Sequence, residues 1–139
     1  MTLVDSDVLI AHLRGLPAAE GWLARVRERD GRPSVSVIAI AEVTGGMRSA
    51  ERGAAGRLLG TFHVIDVDEQ IARRAGEYQR RFRRSHGSIG LGDYLVAGTA
   101  SVRGLALATL NVRHFPMFEG LRAPFELRVR DRSGRYPRA

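Results

Sequence analysis

Four polar residues placed far apart in the chain could together hold a cation. Asp5 directly follows a short apolar run, and Glu42, Asp93 and Asn111 stand beside later apolar segments in the same way. In parallel α/β sheets, ligands gather at the carboxyl ends of strands, where an acid faces a cleft. Clustered carboxylates repel one another unless a cation neutralises them. The four residues are therefore predicted to meet around a divalent metal ion.

The chemistry of such a site follows from its oxygen ligands. Carboxylate and amide oxygens favour hard cations, so Mg²⁺ or Mn²⁺ is expected. Mg²⁺ keeps several waters, and one bound water can be activated as a nucleophile. Two ions about 3.5–4 Å apart could instead hold the attacking and leaving oxygens of a phosphodiester. The pattern predicts metal-dependent hydrolysis and leaves the number of ions open.

Each of the four residues also has a purely structural explanation. Asp5 could cap the helix that follows it, and Asp93 could complement the positive end of its helix. Asn111 is the least diagnostic, because Asn is common in turns. Glu42 is the hardest to explain structurally, because it lies within an apolar run, where an acid is paired, metal-bound or in a cleft.

Length and composition favour an ordinary globular protein. The 139 residues fit one domain with one hydrophobic core, and 44% hydrophobic and 27% charged residues are typical of soluble proteins. The apolar stretches are too short and too interrupted by charge to predict a transmembrane span, and the start lacks the pattern of a secretory signal. The absence of Cys excludes disulfides and thiolate metal sites. A cytoplasmic protein is expected.

The chain has a net charge of +7, and all 22 of its Lys and Arg residues are Arg. An Arg guanidinium offers phosphate a planar pair of donors, so a phosphate-rich partner is one explanation. A GC-rich genome, which favours Arg codons, explains the missing Lys equally well, but it does not explain the excess of positive charge. The absence of Lys excludes every mechanism that needs a catalytic lysine.

The apolar periodicity predicts an α/β fold. Strands are predicted at residues 3–4, 34–37, 61–66, 105–109 and 125–129, and helices at residues 8–14, 17–29, 38–47, 50–59, 69–83 and 91–102. Pro17 suits a first helical position, and Ser49 and Asp68 are predicted N-caps. The alternation predicts a mostly parallel sheet of four to five strands with helices on both faces. One domain over residues 1–130 and a polar, flexible tail over residues 131–139 are expected.

Four sequence motifs, in order along nearly the whole chain, match a known family. They are Leu3-Val4-Asp5-Ser6-Asp7-Val8-Leu9-Ile10, Ser36-Val37-Ile38-Ala39-Ile40-Ala41-Glu42-Val43, Gly92-Asp93-Tyr94-Leu95-Val96-Ala97-Gly98-Thr99-Ala100 and Ala108-Thr109-Leu110-Asn111-Val112-Arg113-His114-Phe115. On these motifs the chain resembles the PIN-domain ribonucleases, most closely the VapC toxins of type II toxin–antitoxin pairs. Each motif is weak by itself, whereas four in the family's order and spacing make a specific match.

The resemblance implies a PIN-like three-layer α/β/α fold around the central sheet. It implies an endoribonuclease that depends on Mg²⁺ or Mn²⁺ and cuts structured RNA such as tRNA or rRNA. It also implies a homodimer, and inhibition by a cognate VapB-type antitoxin whose tail enters the active-site groove.

The resemblance also assigns roles to individual residues. Three carboxylates would be the main metal ligands: Asp5, Glu42 and Asp93. A fourth site residue, Asn111, would act through water. Two hydroxyl side chains would orient their neighbours by hydrogen bonds: Ser6 and Thr109.

The chain departs from the family pattern at two positions. Many relatives have an acid at the position of Asn111 or three residues beyond it, where this chain has His114. The fourth acid would then be missing, and a second metal would bind only with substrate. Asp7 could compensate in part, or it could be an N-cap that faces away. The Thr often found three residues before the Glu is Ala39 here.

Basic side chains outside the motifs could contact RNA. The predicted helix at residues 69–83 and its end carry a basic face: Arg73, Arg74, Arg80, Arg81, Arg83 and Arg84. RNA binding and plain solvation of the helix both explain this face. Arg14 could contact a phosphate or an antitoxin carboxylate, or could complement a helix dipole. The four His residues lack the spacing of a metal site.

Two other functions remain open at this point. Asp5-Ser6-Asp7 has the Asp-x-Asp spacing of a haloacid-dehalogenase-type phosphatase, but that fold needs a downstream Lys and a late pair of acids, and both are missing here. A catalytically inactive PIN-like module that binds RNA or protein would keep the acids only as relics. The presence of Asp5, Glu42 and Asp93 together argues against such a module, and a metal titration would test it.

Overall fold

The computed structural model describes residues 1–127, in which pairs of α-helices, six helices in all, separate four successive strands. The strands are β1 (Thr2–Val4), β2 (Ser34–Ser36), β3 (His63–Ile65) and β4 (Ala106–Ala108). The helices are α1 (Ser6–Leu13), α2 (Pro17–Asp30), α3 (Val37–Gly46), α4 (Arg52–Leu59), α5 (Glu69–Phe82) and α6 (Leu91–Arg103). Short 3₁₀ turns lie at Ser49–Glu51 and Val112–His114. None of the helices in this range is long and apolar enough to cross a bilayer.

The four strands are parallel and lie in the order β3-β2-β1-β4. Leu3 of β1 pairs with Ser34 on one side and with Leu107 on the other. The chain winds outward from β1 to β3 and then returns to the opposite side of β1, so the strand order reverses between β1 and β4. Ligands of open α/β sheets bind outside the carboxyl ends of the strands at such a switch point. Asp5 and Thr109 leave the sheet there.

Successive residues of β1 face opposite sides of the sheet. Val4 joins a core with Val35 and helices α1 to α4, whereas Leu3 joins a second core with Leu107 and with Val96 of α6. Helices therefore cover both faces of the sheet. The predicted three-layer α/β/α architecture is confirmed, with four strands in the described range.

Helices α5 and α6 pack closely because Gly98 has no side chain. A Cβ atom at Gly98 would lie 2.8 Å from the Ile71 carbonyl oxygen of α5. Asp68 caps α5 as predicted, since it accepts a hydrogen bond from Ile71 N at 2.9 Å, and it also accepts one from the Arg103 guanidinium at the end of α6, at 2.8 Å. These contacts fix the direction of α6, whose first turn carries Asp93.

The predicted fifth strand at residues 125–129 does not form in its described part. Residues 125–127 have no strand geometry. Phe125 instead packs against Trp22 of α2, with ring centroids 6.3 Å apart. Its apolar side chain is therefore part of the helical layer. Residues 128 and 129, the domain end predicted at residue 130 and the tail predicted at residues 131–139 lie outside the described residues.

The predicted N-cap at Ser49 is wrong. Arg48 takes the N-cap position of the 3₁₀ turn at Ser49–Glu51. The Glu51 carboxylate accepts a hydrogen bond from Arg48 N at 2.8 Å. Strand β2 is also one residue shorter than predicted. The Ser36 hydroxyl accepts a hydrogen bond from Ile38 N at 3.1 Å, which ends the strand and starts α3 one residue early.

Gly98→Ala is expected to lower the free energy of unfolding by about 1–3 kcal/mol, because overpacking forces the backbones of α5 and α6 apart. Gly76→Ala is the matched control: a Cβ at Gly76 of α5 meets open space, and Ala is favoured over Gly in a helix by about 1 kcal/mol. Urea unfolding followed by circular dichroism measures both. Equal stability of the two variants would show that the contact at Gly98 is not tight.

Candidate active site

Asp5 has a structural role and also lies at the switch point. Its backbone N–H donates to the Ala108 carbonyl at 2.9 Å, which extends the pairing of β1 with β4 by one residue. Its Oδ1 accepts a hydrogen bond from Ser6 N at 2.9 Å, so the side chain caps α1. The residue is only 5% exposed. The capping explanation therefore holds, but it uses one oxygen of a buried carboxylate and leaves the other for contacts at the switch point.

Thr109 contacts the second oxygen of Asp5. Thr109 is fully buried after the end of β4, and its hydroxyl donates to Asp5 Oδ2 at 2.8 Å. The hydroxyl oxygen also accepts a hydrogen bond from Asn111 N at 3.1 Å. Because a hydroxyl has one proton, the longer approach of 3.3 Å to Asp7 Oδ2 is a secondary contact. Thr109 thus orients the Asp5 carboxylate and starts the turn that carries Asn111.

Asp7, in the first turn of α1, lies beside Asp5. Its Oδ2 accepts a hydrogen bond from Leu110 N at 3.0 Å, so the side chain faces the end of β4. Its Oδ1 is buried and has no hydrogen-bond partner among the residues described. Burial raises the pKa of Asp7, against the lowering effect of the Leu110 N–H. A cation or a water molecule would satisfy such a buried, unpartnered oxygen.

Glu42 of α3 approaches the start of α6. The residue is exposed, but a Cβ built at Gly92 would lie 3.8 Å from Glu42 Oε2. Partial burial of the carboxyl group and the charge of Asp93 raise the pKa of Glu42, as does the charge of Asp7, while the Ser6 side chain lowers it. Glu42 therefore interacts with the acid at the start of α6 and with the acid of α1.

The largest electrostatic effect falls on Asp5. Burial, the charge of Asp7 and the charge of Glu42 raise the pKa of Asp5 to about 7, against the lowering effect of hydrogen bonds from Thr109 and Ser6. A neighbouring cation would act in the opposite direction, since it favours the charged carboxylate. Asp7 and Glu42 act on Asp5 through their charges, and Asp93 acts on Glu42, so these four acids lie near one another and are called the acidic group.

His114 connects the two remaining residues that the sequence singled out. Its Nδ1 lies 2.8 Å from Asp93 Oδ2 and 2.8 Å from Asn111 Nδ2. The Gly90 N–H donates to the same Asp93 oxygen at 3.4 Å and so closes the first turn of α6. Asn111 therefore reaches Asp93 through His114 and not directly.

The carboxylates of the acidic group fit a hard divalent cation by their chemistry. Their oxygens are the ligands that such cations prefer, and their mutual repulsion calls for positive charge. The unpartnered Oδ1 of Asp7 adds a further donor. Within residues 1–127, however, no three acidic or histidine side chains already enclose a point where a metal could sit. Because Thr109 holds Asp5 and His114 contacts Asp93, rotation of the exposed Glu42 side chain would have to complete a site for one ion.

A groove of about 730 Å³ opens beside these carboxylates. Aliphatic side chains from α1, from the turn after it and from the segment after β4 form most of its lining, and Asp7 and Asn111 join it to the acidic group. Arg14 lines the groove as well, with its Nε 3.4 Å from Glu51 Oε2. Arg14 therefore lies at the groove and not among the carboxylates.

Asp7 and His114 lie within the site, although the sequence leaves their roles open. The hydrogen bond of Asp7 joins residues 103 positions apart, and that of His114 joins residues 21 positions apart, so no local pattern shows either contact. A usable signal is nevertheless present in the sequence. His114 stands where many members of the resembled family have an acid, which marks the position as one that faces the site.

Asp5→Asn is expected to stabilise the metal-free protein at alkaline pH. The folded protein keeps a proton on Asp5 up to about pH 7, whereas the unfolded chain loses it near its ordinary pKa of 3.8. The stability of the wild type should therefore fall as the pH rises between these two values, and the variant should lack this part of the fall. Well above pH 7, the gain should be on the order of a few kcal/mol.

Urea unfolding in EDTA across this pH range measures the difference. Asp66→Asn, which removes an exposed carboxylate two strands away, is the control. An Asp5→Asn variant whose stability runs parallel to that of the wild type would contradict the raised pKa of Asp5.

The family model for the PIN domain matches residues 2–118 of the chain. Ribonuclease VapC10 of Mycobacterium tuberculosis strain H37Rv is 58% identical over the full length of both chains. Ribonuclease VapC19 of the same strain is 39% identical over 90% of this chain and 100% of its own. The tRNA(fMet)-specific endonuclease VapC of Shigella flexneri is 28% identical over 86% of this chain and 93% of its own.

Solved structures share the fold. A toxin–antitoxin complex from Klebsiella pneumoniae matches with a TM-score of 0.74 at 24% identity, over 91% of this chain and 100% of that chain. DNA-bound VapBC from Salmonella typhimurium matches with a TM-score of 0.73 at 25% identity, over 88% and 95% of the two chains. PIN-domain VapC nucleases generally depend on a divalent metal. Because the family model covers most of the chain and a full-length relative is 58% identical, the chain belongs to the PIN-domain family, among the VapC ribonucleases.

Proposed function

We propose that this protein is a toxin endoribonuclease that uses Mg²⁺ or Mn²⁺ to hydrolyse phosphodiester bonds in structured RNA such as tRNA or rRNA. The observation that carries the proposal is the pair of acids at the switch point: Asp5 is buried, Thr109 contacts both carboxylates, and Oδ1 of Asp7 has no hydrogen-bond partner within residues 1–127. Such a pair does not stabilise the fold by itself, because the charge of Asp7 makes Asp5 harder to ionise. Cation binding would convert this repulsion into affinity.

A bound divalent cation would supply an activated water and neutralise charge at the scissile phosphate. Asp5, Glu42 and Asp93 would hold it. Thr109 restricts the orientation of Asp5 through its 2.8 Å hydrogen bond. Asn111 lies next to His114, which contacts Asp93, and its amide would act through water.

Basic side chains near the same edge of the sheet favour RNA as the substrate. Helix α6 leads into β4, so its first turn lies at the carboxyl edge, and the packed helix α5 ends next to that turn. Four exposed Arg residues stand at this end: Arg80, Arg81, Arg83 and Arg84. Within the described part of the chain, none of the four takes part in an ion pair. They would contact the phosphates of an RNA that enters the site.

The groove beside the carboxylates would receive the tail of a VapB-type antitoxin. The Salmonella typhimurium relative is a VapBC complex bound to DNA, which supports an antitoxin partner for this chain. The largely apolar lining suits apolar side chains of a peptide, and Arg14 would pair with an acidic one. A homodimer and a cytoplasmic location belong to the same proposal.

Asp5→Asn and Asp93→Asn are each expected to lower the rate of RNA cleavage by more than about 100-fold. Loss of a residue that merely orients a metal ligand costs up to about 100-fold, and loss of the ligand itself should cost more. Each removes a proposed ligand and keeps the size of the side chain. The measurement is cleavage of total bacterial RNA by purified protein freed of antitoxin, with Mg²⁺, with Mn²⁺ and with EDTA. Glu69→Gln, at an exposed carboxylate of α5, is the matched control.

Discrete, metal-dependent fragments that both variants fail to produce would support the proposal and identify the RNA. Wild-type rates in either variant would refute the site assignment. A wild type that neither cuts RNA nor binds Mn²⁺ would favour the catalytically inactive binding module. Growth of a bacterial host is a second readout: expression of the wild type should slow it, and expression of Asp5→Asn should not.

Arg80→Gln combined with Arg84→Gln is expected to weaken RNA binding and to make it less dependent on salt. Each lost phosphate contact lowers the slope of log affinity against log salt by about 0.7–0.9. Binding is measured in the Asp93→Asn background, in which the RNA should stay intact. The matched control replaces Arg29 and Arg32, which are exposed near the start of β2 at the opposite edge. Equal salt slopes for the two double variants would contradict RNA contact at the end of α5.

A further inference from the structure

His114 contacts two site residues through one ring nitrogen. Its Nδ1 lies 2.8 Å from Asp93 Oδ2 and 2.8 Å from Asn111 Nδ2, and the side chains of His114 and Asp93 are 25% and 21% exposed. A ring nitrogen of His carries either one hydrogen or one lone pair. It therefore cannot accept from the Asn111 amide and also donate to the Asp93 carboxylate.

The chemistry of Asp93 decides between the two arrangements. If Nδ1 accepted a hydrogen bond from Asn111, its lone pair would face a carboxylate oxygen at 2.8 Å, which requires a proton on Asp93. A carboxylate that binds a cation must be deprotonated. If Nδ1 carries the hydrogen, it donates to Asp93, and after a half-turn of its amide the Asn111 oxygen shares the same hydrogen as a second acceptor. The second arrangement is the one compatible with a metal ligand.

Contacts that do not involve Asp93 hold the backbone of His114 in place. The His114 N–H donates to the Asn111 carbonyl at 3.0 Å within the 3₁₀ turn. The next residue, Phe115, is 1% exposed and packs in the core beside α6. Asn111 N is in turn bonded to the buried Thr109 hydroxyl at 3.1 Å. The backbone of His114 is thus held by contacts that do not involve Asp93.

We propose that His114 is a positioning residue for metal binding, whose Nδ1–H donates to Asp93 Oδ2 and holds that carboxylate in the orientation that binds the cation. This inference rests on the proposed function. The Gly90 N–H approaches the same oxygen at 3.4 Å, so both contacts fall on Oδ2 and Oδ1 remains for the cation. At the position where many relatives have a fourth acid, this chain would then have His114, which orients Asp93 and does not itself bind the metal.

Three substitutions distinguish the two ring nitrogens. In His114→Asn the amide nitrogen is bonded to Cγ, as Nδ1 is, so the donation to Asp93 can be kept. In His114→Gln the amide nitrogen lies farther out, near the place of Nε2, and His114→Ala has no donor. His63→Ala, at an exposed histidine of β3, is the matched control.

The readout is the dissociation constant for Mn²⁺, measured from the electron paramagnetic resonance signal of free Mn²⁺, and a purely structural role would not change it. His114→Ala and His114→Gln should weaken binding by about 10–100-fold, the usual effect of losing a group that orients a metal ligand. His114→Asn and His63→Ala should bind as the wild type does. The kcat for RNA cleavage should follow the same order without a change in KM, and melting temperatures in EDTA should stay equal.

Retained affinity in His114→Gln with loss in His114→Asn would make Nε2 the acting atom and overturn the proposal. Equal affinities in all three variants, or equal losses in all three, would overturn it as well. A wild type that neither binds Mn²⁺ nor cuts RNA would instead refute the proposed function. The two failures are therefore distinguishable in one experiment.

Discussion

The hydrogen bond from Thr109 to Asp5 is the interaction on which the site depends. It joins the ends of β1 and β4 where the strand order reverses, and both residues are buried. A hydrogen bond to a carboxylate favours its charged form, whereas burial opposes it, and here burial is the larger effect, because the pKa of Asp5 rises to about 7. The metal-free protein thus carries a carboxylate that is costly to ionise, and a cation would remove that cost.

The rest of the fold brings the other acids to the same edge. Helix α3 begins directly after β2, the neighbour of β1 in the sheet. Glu42 therefore lies on the second turn of α3, near the carboxyl end of β2. The close contact at Gly98 and the cap at Asp68 fix α6, and with it Asp93 in its first turn. Functional sites commonly break the rules that stabilise a fold, and other parts of the molecule compensate. Two apolar cores, one on each face of the sheet, do so here.

The sequence predicts those features whose causes are local. The cap at Asp68 acts within one helical turn, and apolar periodicity marks the strands and helices of the three layers. The prediction of a fifth strand was wrong in its described part because apolar alternation does not specify which strand a segment pairs with. Phe125 packs on helix α2 instead. The sequence predicts the acids of the candidate site, and the family resemblance adds Thr109 as an orienting residue, but neither specifies the contacts. The bond of Thr109 to Asp5 joins residues 104 positions apart, and that of His114 to Asp93 joins the turn after β4 to the first turn of α6.

Diffraction at the manganese absorption edge, from crystals of the protein grown with Mn²⁺, tests most directly whether the carboxylates at the switch point hold a divalent cation. We expect an anomalous peak within bonding distance of the Asp5, Glu42 and Asp93 carboxylates, with Asp5 still hydrogen-bonded to Thr109. A peak found only at surface carboxylates such as Glu69, or no peak at saturating Mn²⁺, would contradict the assignment of the site.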